Sequence, residues 1–153
     1  MESSQADLLL PASWSEIVIR LGLAVLVGAL IGWERETAEK PAGLRTHMLV
    51  SLGSAMFVLT SIQTGAVEQS VDVLSRVIQG VIAGIGFLGA GEIFSTTRSD
   101  SNRIRVRGLT SAAAIWVSAS LGVVIGCGLW QLGTLGAGVT FLILWGVKKF
   151  EPG

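Results

Sequence analysis

The stretch GIGFLGAG, Gly84–Gly91, decides how this chain is read. It contains G-x-G-x-x-G, the spacing of a loop that cradles a dinucleotide pyrophosphate. Such a loop follows a β-strand and opens a helix whose N-terminus meets phosphate. Here the glycines lie inside a mostly apolar run, Val71–Phe94, with no strand pattern ahead of them. No acidic residue about 20 positions on follows a second strand, as the nucleotide fingerprint requires. The nucleotide reading is set aside, and no cofactor is expected.

The same residues make sense in hydrocarbon. Gly80, Ala83, Gly84, Phe87, Ala90 and Gly91 fall on one face of a helix. Small residues four apart let two helix backbones approach closely in a membrane. Gly84, Gly86, Gly89 and Gly91 are therefore expected to be points of close approach. Ala24, Gly28 and Gly32 repeat the spacing in an earlier apolar run, and Thr110, Ala114, Ser118, Gly122 and Gly126 repeat it in a later one. A tight bundle follows, with the third and fourth runs expected near its centre.

Composition agrees with a membrane location. Half of the 153 residues are hydrophobic and only 14% are charged, against about 25% in a soluble domain. Mean hydropathy is +0.66. Five runs are long enough to span: Ser15–Trp33, Leu44–Gln63, Val71–Phe94, Leu109–Cys127 and Leu129–Val147. Each approaches the ~20 residues a spanning helix needs. A barrel would show alternating segments of ~10 residues instead. The first run is preceded by Glu2 and Asp7 rather than by a basic region, and it is longer than a signal core. With short connections, one domain is expected. Cys127 is the only cysteine, so no intrachain disulfide forms.

Charge sorts the connections. Arg35, Lys40 and Arg45 lie in or beside the first. Arg98, Arg103, Arg105 and Arg107 lie in the third, and Lys148 and Lys149 in the tail. Of the eleven basic residues only Arg20 and Arg76 fall on the other side. The basic side is assigned to the cytoplasm, which places the N-terminus outside and the C-terminus inside. Trp14, Trp33, Trp130 and Trp145 bracket the first and last runs at headgroup level, whereas Trp116 lies within a run and reads as a packing residue.

Few residues carry chemistry. A dehydrated magnesium ion takes several hard oxygen ligands in octahedral geometry, and the spans offer little beyond Glu92. Glu34, Glu36 and Glu39 cluster in the first connection, interleaved with Arg35 and Lys40. This reads as a solvated helical extension with pairs such as Glu36–Lys40, or as a metal-sensing patch. Asp72 and Arg76, four apart at a span end, read as a structural pair. His47, Ser51, Ser54 and Ser61 share a helix face, suiting hydrogen bonds to backbone or a neighbouring helix, or the lining of a path. One histidine cannot build a typical zinc site. The third-connection arginines suit anionic lipid headgroups; they lack stacking aromatics, so nucleic acid is not an expected partner. No nucleophile–base arrangement is visible, and no catalytic or metal residue is assigned.

Four ordered segments resemble the MgtC/SapB family of bacterial inner-membrane proteins: GALIGWERE (Gly28–Glu36), KPAGLRTHMLVSLGSAMF (Lys40–Phe57), VIQGVIAGIGFLGAGEIF (Val77–Phe94) and VRGLTSAAAIWVSASLGVVIGCG (Val106–Gly128). The resemblance these segments carry extends over the chain from about residue 17 to residue 147. Glu92 stands where the family pattern has an apolar residue, and the third connection is longer and more polar. The chain looks like a member consisting of the membrane domain, without the soluble C-terminal domain that some members carry. The resemblance implies a multi-pass protein associated with magnesium limitation and, in some pathogens, with virulence. It implies functional weight at Glu34 and Arg35 at the first helix exit, and at Arg45, Thr46 and His47 where the second begins. Gly84, Gly86, Phe87, Gly89 and Gly91 mark the third, and Gly108, Leu109, Thr110 and Trp116 the fourth.

The expectation is an all-α bundle of five transmembrane helices. It would act as a regulator of other membrane proteins through helix packing, as a homo-oligomer or with another membrane protein, among membrane lipids. A transporter or channel subunit for Mg2+ or another small solute is the alternative.

Overall fold

The computed structural model describes residues 10–70, 72–95 and 108–146. The described residues are helical throughout their regular structure: α1 (Trp14–Thr37), α2 (Leu44–Gln63), a single turn α3 (Ala66–Gln69), α4 (Asp72–Ser95), α5 (Leu109–Gly126) and α6 (Trp130–Gly146). The glycines of GIGFLGAG sit within α4, with no strand ahead of them. The third-connection arginines and the tail lysines lie outside the described residues.

Local chemistry sets the helix starts. Ser13 caps α1 in a capping box: its Oγ accepts from Glu16 N, while Ser13 N donates to Glu16 Oε2 at 2.8 Å. At α2 the cap is Gly43, which has no side chain to offer. Glu36 reaches across the connection instead, and its Oε2 accepts from Leu44 N at 2.9 Å. That contact corrects the Glu36–Lys40 expectation: α1 ends at Thr37, so Lys40 is not on the helix and cannot sit one turn from Glu36. Gly108, at φ 92, makes the left-handed turn into α5 that a side chain would resist.

Four helices are long and apolar enough to cross a membrane by length and composition: α1, α2, α4 and α5. The fifth expected span corresponds to α6, with 17 described residues. Large apolar side chains point outward at every level, among them Leu26, Leu49, Phe57, Phe87, Leu135 and Leu142. In water that surface is a liability; in lipid it is the solvated face.

The bundle is built around α5, which packs against α1, α2, α4 and α6. Its core combines Ala24, Val27 and Ile31 of α1, Ala55 of α2, Ala114, Leu121 and Ile125 of α5, and Ala137 and Leu144 of α6. The expectation of a central fourth run holds. The central third run does not: only 6% of the apolar window of α4 is buried. Its inward face runs from Val73, Leu74 and Val77, packed on Val58, Ile62, Val67 and Cys127, to Val81, Ile85 and Gly89, set against Ala112, Ile115 and Ala119 of α5. One narrow stripe therefore holds α4 at the edge of the bundle.

Candidate functional site

Glycines bring three helices together. A Cβ on Gly28 would stand 2.6 Å from the His47 carbonyl oxygen, and one on Gly32 2.7 Å from Leu44 Cα. On the other side of α2, a side chain on Gly122 would overlap the Ser51 carbonyl, and one on Gly126 would lie 3.0 Å from the Ala55 carbonyl oxygen. Only hydrogen fits at these positions, so the α2 backbone is clamped between α1 and α5. The seams anticipated along Ala24–Gly28–Gly32 and Ala114–Ser118–Gly122–Gly126 are the ones in use. Thr110 is exposed, because a ridge of period four winds around a helix of 3.6 residues per turn.

The clamp encloses polar groups. His47 and Ser118 both have 0% exposure, and Nδ1 of the ring lies 2.8 Å from Ser118 Oγ. Nε2 lies 3.2 Å from the Ala42 carbonyl oxygen. A carbonyl only accepts, so Nε2–H donates to Ala42 and, in the neutral ring, the Ser118 hydroxyl donates to Nδ1. The ring thus ties α2 to α5 and to the α1–α2 connection. Ser51, one turn on, is also at 0% exposure, and its Oγ has no hydrogen-bond partner among the described residues. Ser54 and Ser61 donate to the carbonyls of Val50 and Val58. In the polar stripe of α2, then, Ser54 and Ser61 bond back to their own helix, His47 bonds between helices, and Ser51 alone makes no side-chain hydrogen bond among the described residues.

Glu34 and Arg35 lie at the same end of the bundle. Both are buried, and they form an ion pair through Glu34 Oε2 and the Arg35 guanidinium, the one such pair among the described residues. Burying either alone would strand a charge; together they satisfy one another. The first helix exit is thus an internal, charge-neutral feature rather than a solvated extension, while Glu36 and Glu39 are exposed. Among the described residues no three His, Cys, Asp or Glu side chains come together.

The other expected residues are more dispersed. Arg45 is exposed and Thr46 half-buried beside His47. Leu109 faces outward. Trp116 is 46% exposed, against the packing expectation, because it lies on the outer side of α5 beside a groove with Ile78, Ile82 and Val124. Asp72 and Arg76 are both exposed and do not form the expected ion pair. Glu92 is half-buried near the end of α4. Gly84, Gly86 and Gly91 meet no atom within 4 Å where a Cβ would stand, and Gly89 meets only Ala112 Cβ at 3.6 Å. Within the protomer, then, the glycines of α4 are not the close contacts: Gly89 faces α5 at ordinary packing distance, and Gly84, Gly86 and Gly91 are presented outward.

Two groups carry more than their sequence context suggests. Ser118 was legible as a small ridge residue, not as the partner of His47. Arg20, read as a charge at a span end, is buried at 8% exposure and donates from Nη1 to the Gly126 carbonyl oxygen at 3.1 Å. No local pattern around Arg20 announces the end of α5.

The sequence profile of the MgtC family matches residues 21–152. The protein SrpB of Synechococcus elongatus is 50% identical over 142 residues, covering 90% of this chain and 78% of SrpB. The putative magnesium transporter YhiD of Escherichia coli is 42% identical over 134 residues, 85% of this chain and 60% of YhiD. The protein MgtC of Salmonella typhimurium is 45% identical over 111 residues, 72% of this chain and 43% of MgtC. The matched region is thus less than two thirds of YhiD and of MgtC. No solved structure matches the chain.

Proposed function

The chain belongs to the MgtC family as a multi-pass membrane protein, and from that premise we propose that it regulates other membrane proteins in magnesium or envelope homeostasis through helix–helix packing. In this reading it crosses a bacterial inner membrane five times, α6 completing the set, with its N-terminus outside and its basic side in the cytoplasm. It forms a homo-oligomer or binds another membrane protein, and it carries out no catalytic step.

One observation carries the reading: the outward glycine face of α4. Between α2 and α4 runs an apolar groove of about 620 Å3, bordered by Leu49, Gly53, Phe57, Gly80, Gly84 and Leu88. Gly53, Gly80 and Gly84 all have open space over their Cα atoms. Glycine inside a helix is destabilising by roughly 0.5–1 kcal/mol relative to alanine. Three glycines around one groove suit the close approach of a further helix backbone. Crosslinking in native membranes from a photoreactive residue at Leu88, read by mass spectrometry, tests it. A partner peptide is expected, lost in Gly84→Leu. Retention of the same crosslink in that variant would remove the packing mechanism.

The similarity to YhiD, a putative magnesium transporter, favours a second reading, a transporter subunit for Mg2+. Purified protein in liposomes separates the two. Protein-dependent Mg2+ flux abolished by Glu92→Gln supports transport; no flux, with the crosslink present, supports regulation.

A further inference from the structure

Three charged side chains are buried among the described residues: Arg20, Glu34 and Arg35. The last two neutralise each other. Arg20 has no carboxylate within ion-pair distance among those residues. Its one hydrogen bond goes to the uncharged Gly126 carbonyl, and a guanidinium has five N–H donors to place. A buried cation at a span end calls for an anion, because neither hydrocarbon nor a single carbonyl offsets its charge.

A cavity of about 190 Å3 lies beside it, bordered by Glu16, Arg20, Leu23, Ile125, Gly128 and Trp130. Its volume is roughly six times the ~30 Å3 share of one water, room for a phosphate ester with a short amine. Its depth is set by indoles: Trp14 and Trp130, both mostly exposed, flank the first turns of α1 and α6, where such rings meet headgroups. The walls carry one cation and one anion, Arg20 and Glu16, one helical turn apart. Glu16 Oε2 is engaged by Ser13 N and Oγ; among the described residues no such contact holds its other oxygen. A purely anionic headgroup meets repulsion from Glu16, and a choline headgroup has no N–H to give it. A phosphate joined to a primary ammonium complements both residues.

We propose that this cavity binds the headgroup of a phosphatidylethanolamine lipid, its phosphate on Arg20 and its ammonium on Glu16. The outward-facing Ile19 and Trp130 at the mouth continue into the lipid-facing surface, which suits a lipid rather than a free ester.

Native mass spectrometry of the full chain in detergent, titrated with ethanolamine, glycerol and choline phospholipids of matched acyl chains, tests this. Retention of the ethanolamine lipid is expected to exceed either other by about fivefold, the scale of one charge-assisted contact. Arg20→Ala is expected to lower retention of all three. Should that variant fail to fold, Glu16→Gln decides: glutamine can complete the capping box, so the helix persists and the ethanolamine preference disappears. Equal retention of the three lipids by the unaltered protein, or a preference that survives Glu16→Gln, overturns the assignment. Displacement of the lipid by equimolar soluble phosphoethanolamine overturns it too.

Discussion

His47 on α2 and Ser118 on α5 are joined by a 2.8 Å hydrogen bond at a point where neither side chain is exposed. The bond exists because Gly28, Gly32 and Gly122 bring three backbones close enough to leave no room for water around the ring. It is the one side-chain hydrogen bond between α2 and α5 among the described residues, and it adds a directional contact to two helices otherwise held by close packing.

Removal of Ser118 Oγ is therefore expected to leave the ring nitrogen buried without a partner. Ser118→Ala should destabilise the bundle by about 1–3 kcal/mol, the penalty for an orphaned buried polar group. Equilibrium unfolding in mixed detergent measures it. Ser118→Thr, which keeps the hydroxyl but adds a methyl to a closed seam, should fare no better. An unaltered midpoint for the alanine variant would show that the histidine finds other satisfaction.

The glycines divide by what stands over them. Gly122→Val drives a side chain into the Ser51 carbonyl and is expected to cost at least about 1–3 kcal/mol, the range for overpacking. Gly86→Ala meets open space on an exposed helix face and is expected to be neutral or to stabilise by up to about 1 kcal/mol. Thermal aggregation midpoints of the two variants, side by side, check this. Equal damage at both sites would contradict the packing described.

Glu34 and Arg35 are expected to behave as a unit. Glu34→Ala or Arg35→Ala alone strands a buried charge and should destabilise by about 3–5 kcal/mol. The double variant should lose distinctly less than the sum, as coupled residues do. A double-mutant cycle on unfolding free energies reads the coupling directly; strict additivity would mean the pair is not a pair.

The start of α2 depends on Glu36 rather than on Lys40. Glu36→Ala removes the acceptor for Leu44 N and should cost on the order of 1 kcal/mol, as loss of an N-cap does. Lys40→Ala should stay within about 0.5 kcal/mol, as exposed substitutions generally do. Hydrogen exchange at the first turn of α2 should rise in the first variant alone. Matching increases in both would restore the ion pair expected from their spacing.

By itself the sequence determined the solvent and the elements. Hydrocarbon-length apolar runs and glycines at four-residue spacing are local properties. They sufficed for a helical membrane bundle and for the seams at Gly28, Gly32, Gly122 and Gly126, while the family was legible through the resemblance of four ordered segments. Which small-residue face meets a neighbour was decided in three dimensions. Periodicity marks the faces of a helix but not which of them another helix covers, so the glycines of α4 and those of α5 read alike. Those of α5 are closed over by the α2 backbone, whereas on α4 Gly89 alone of the GIGFLGAG glycines meets a neighbouring helix. The same holds for charge. Glu34, Arg35 and Arg20 carry charge near the ends of apolar runs, and the local sequence gives no sign that they are buried. For Arg20 the end of α5 arrives beside it at Gly126, and no window of neighbouring residues contains that distance.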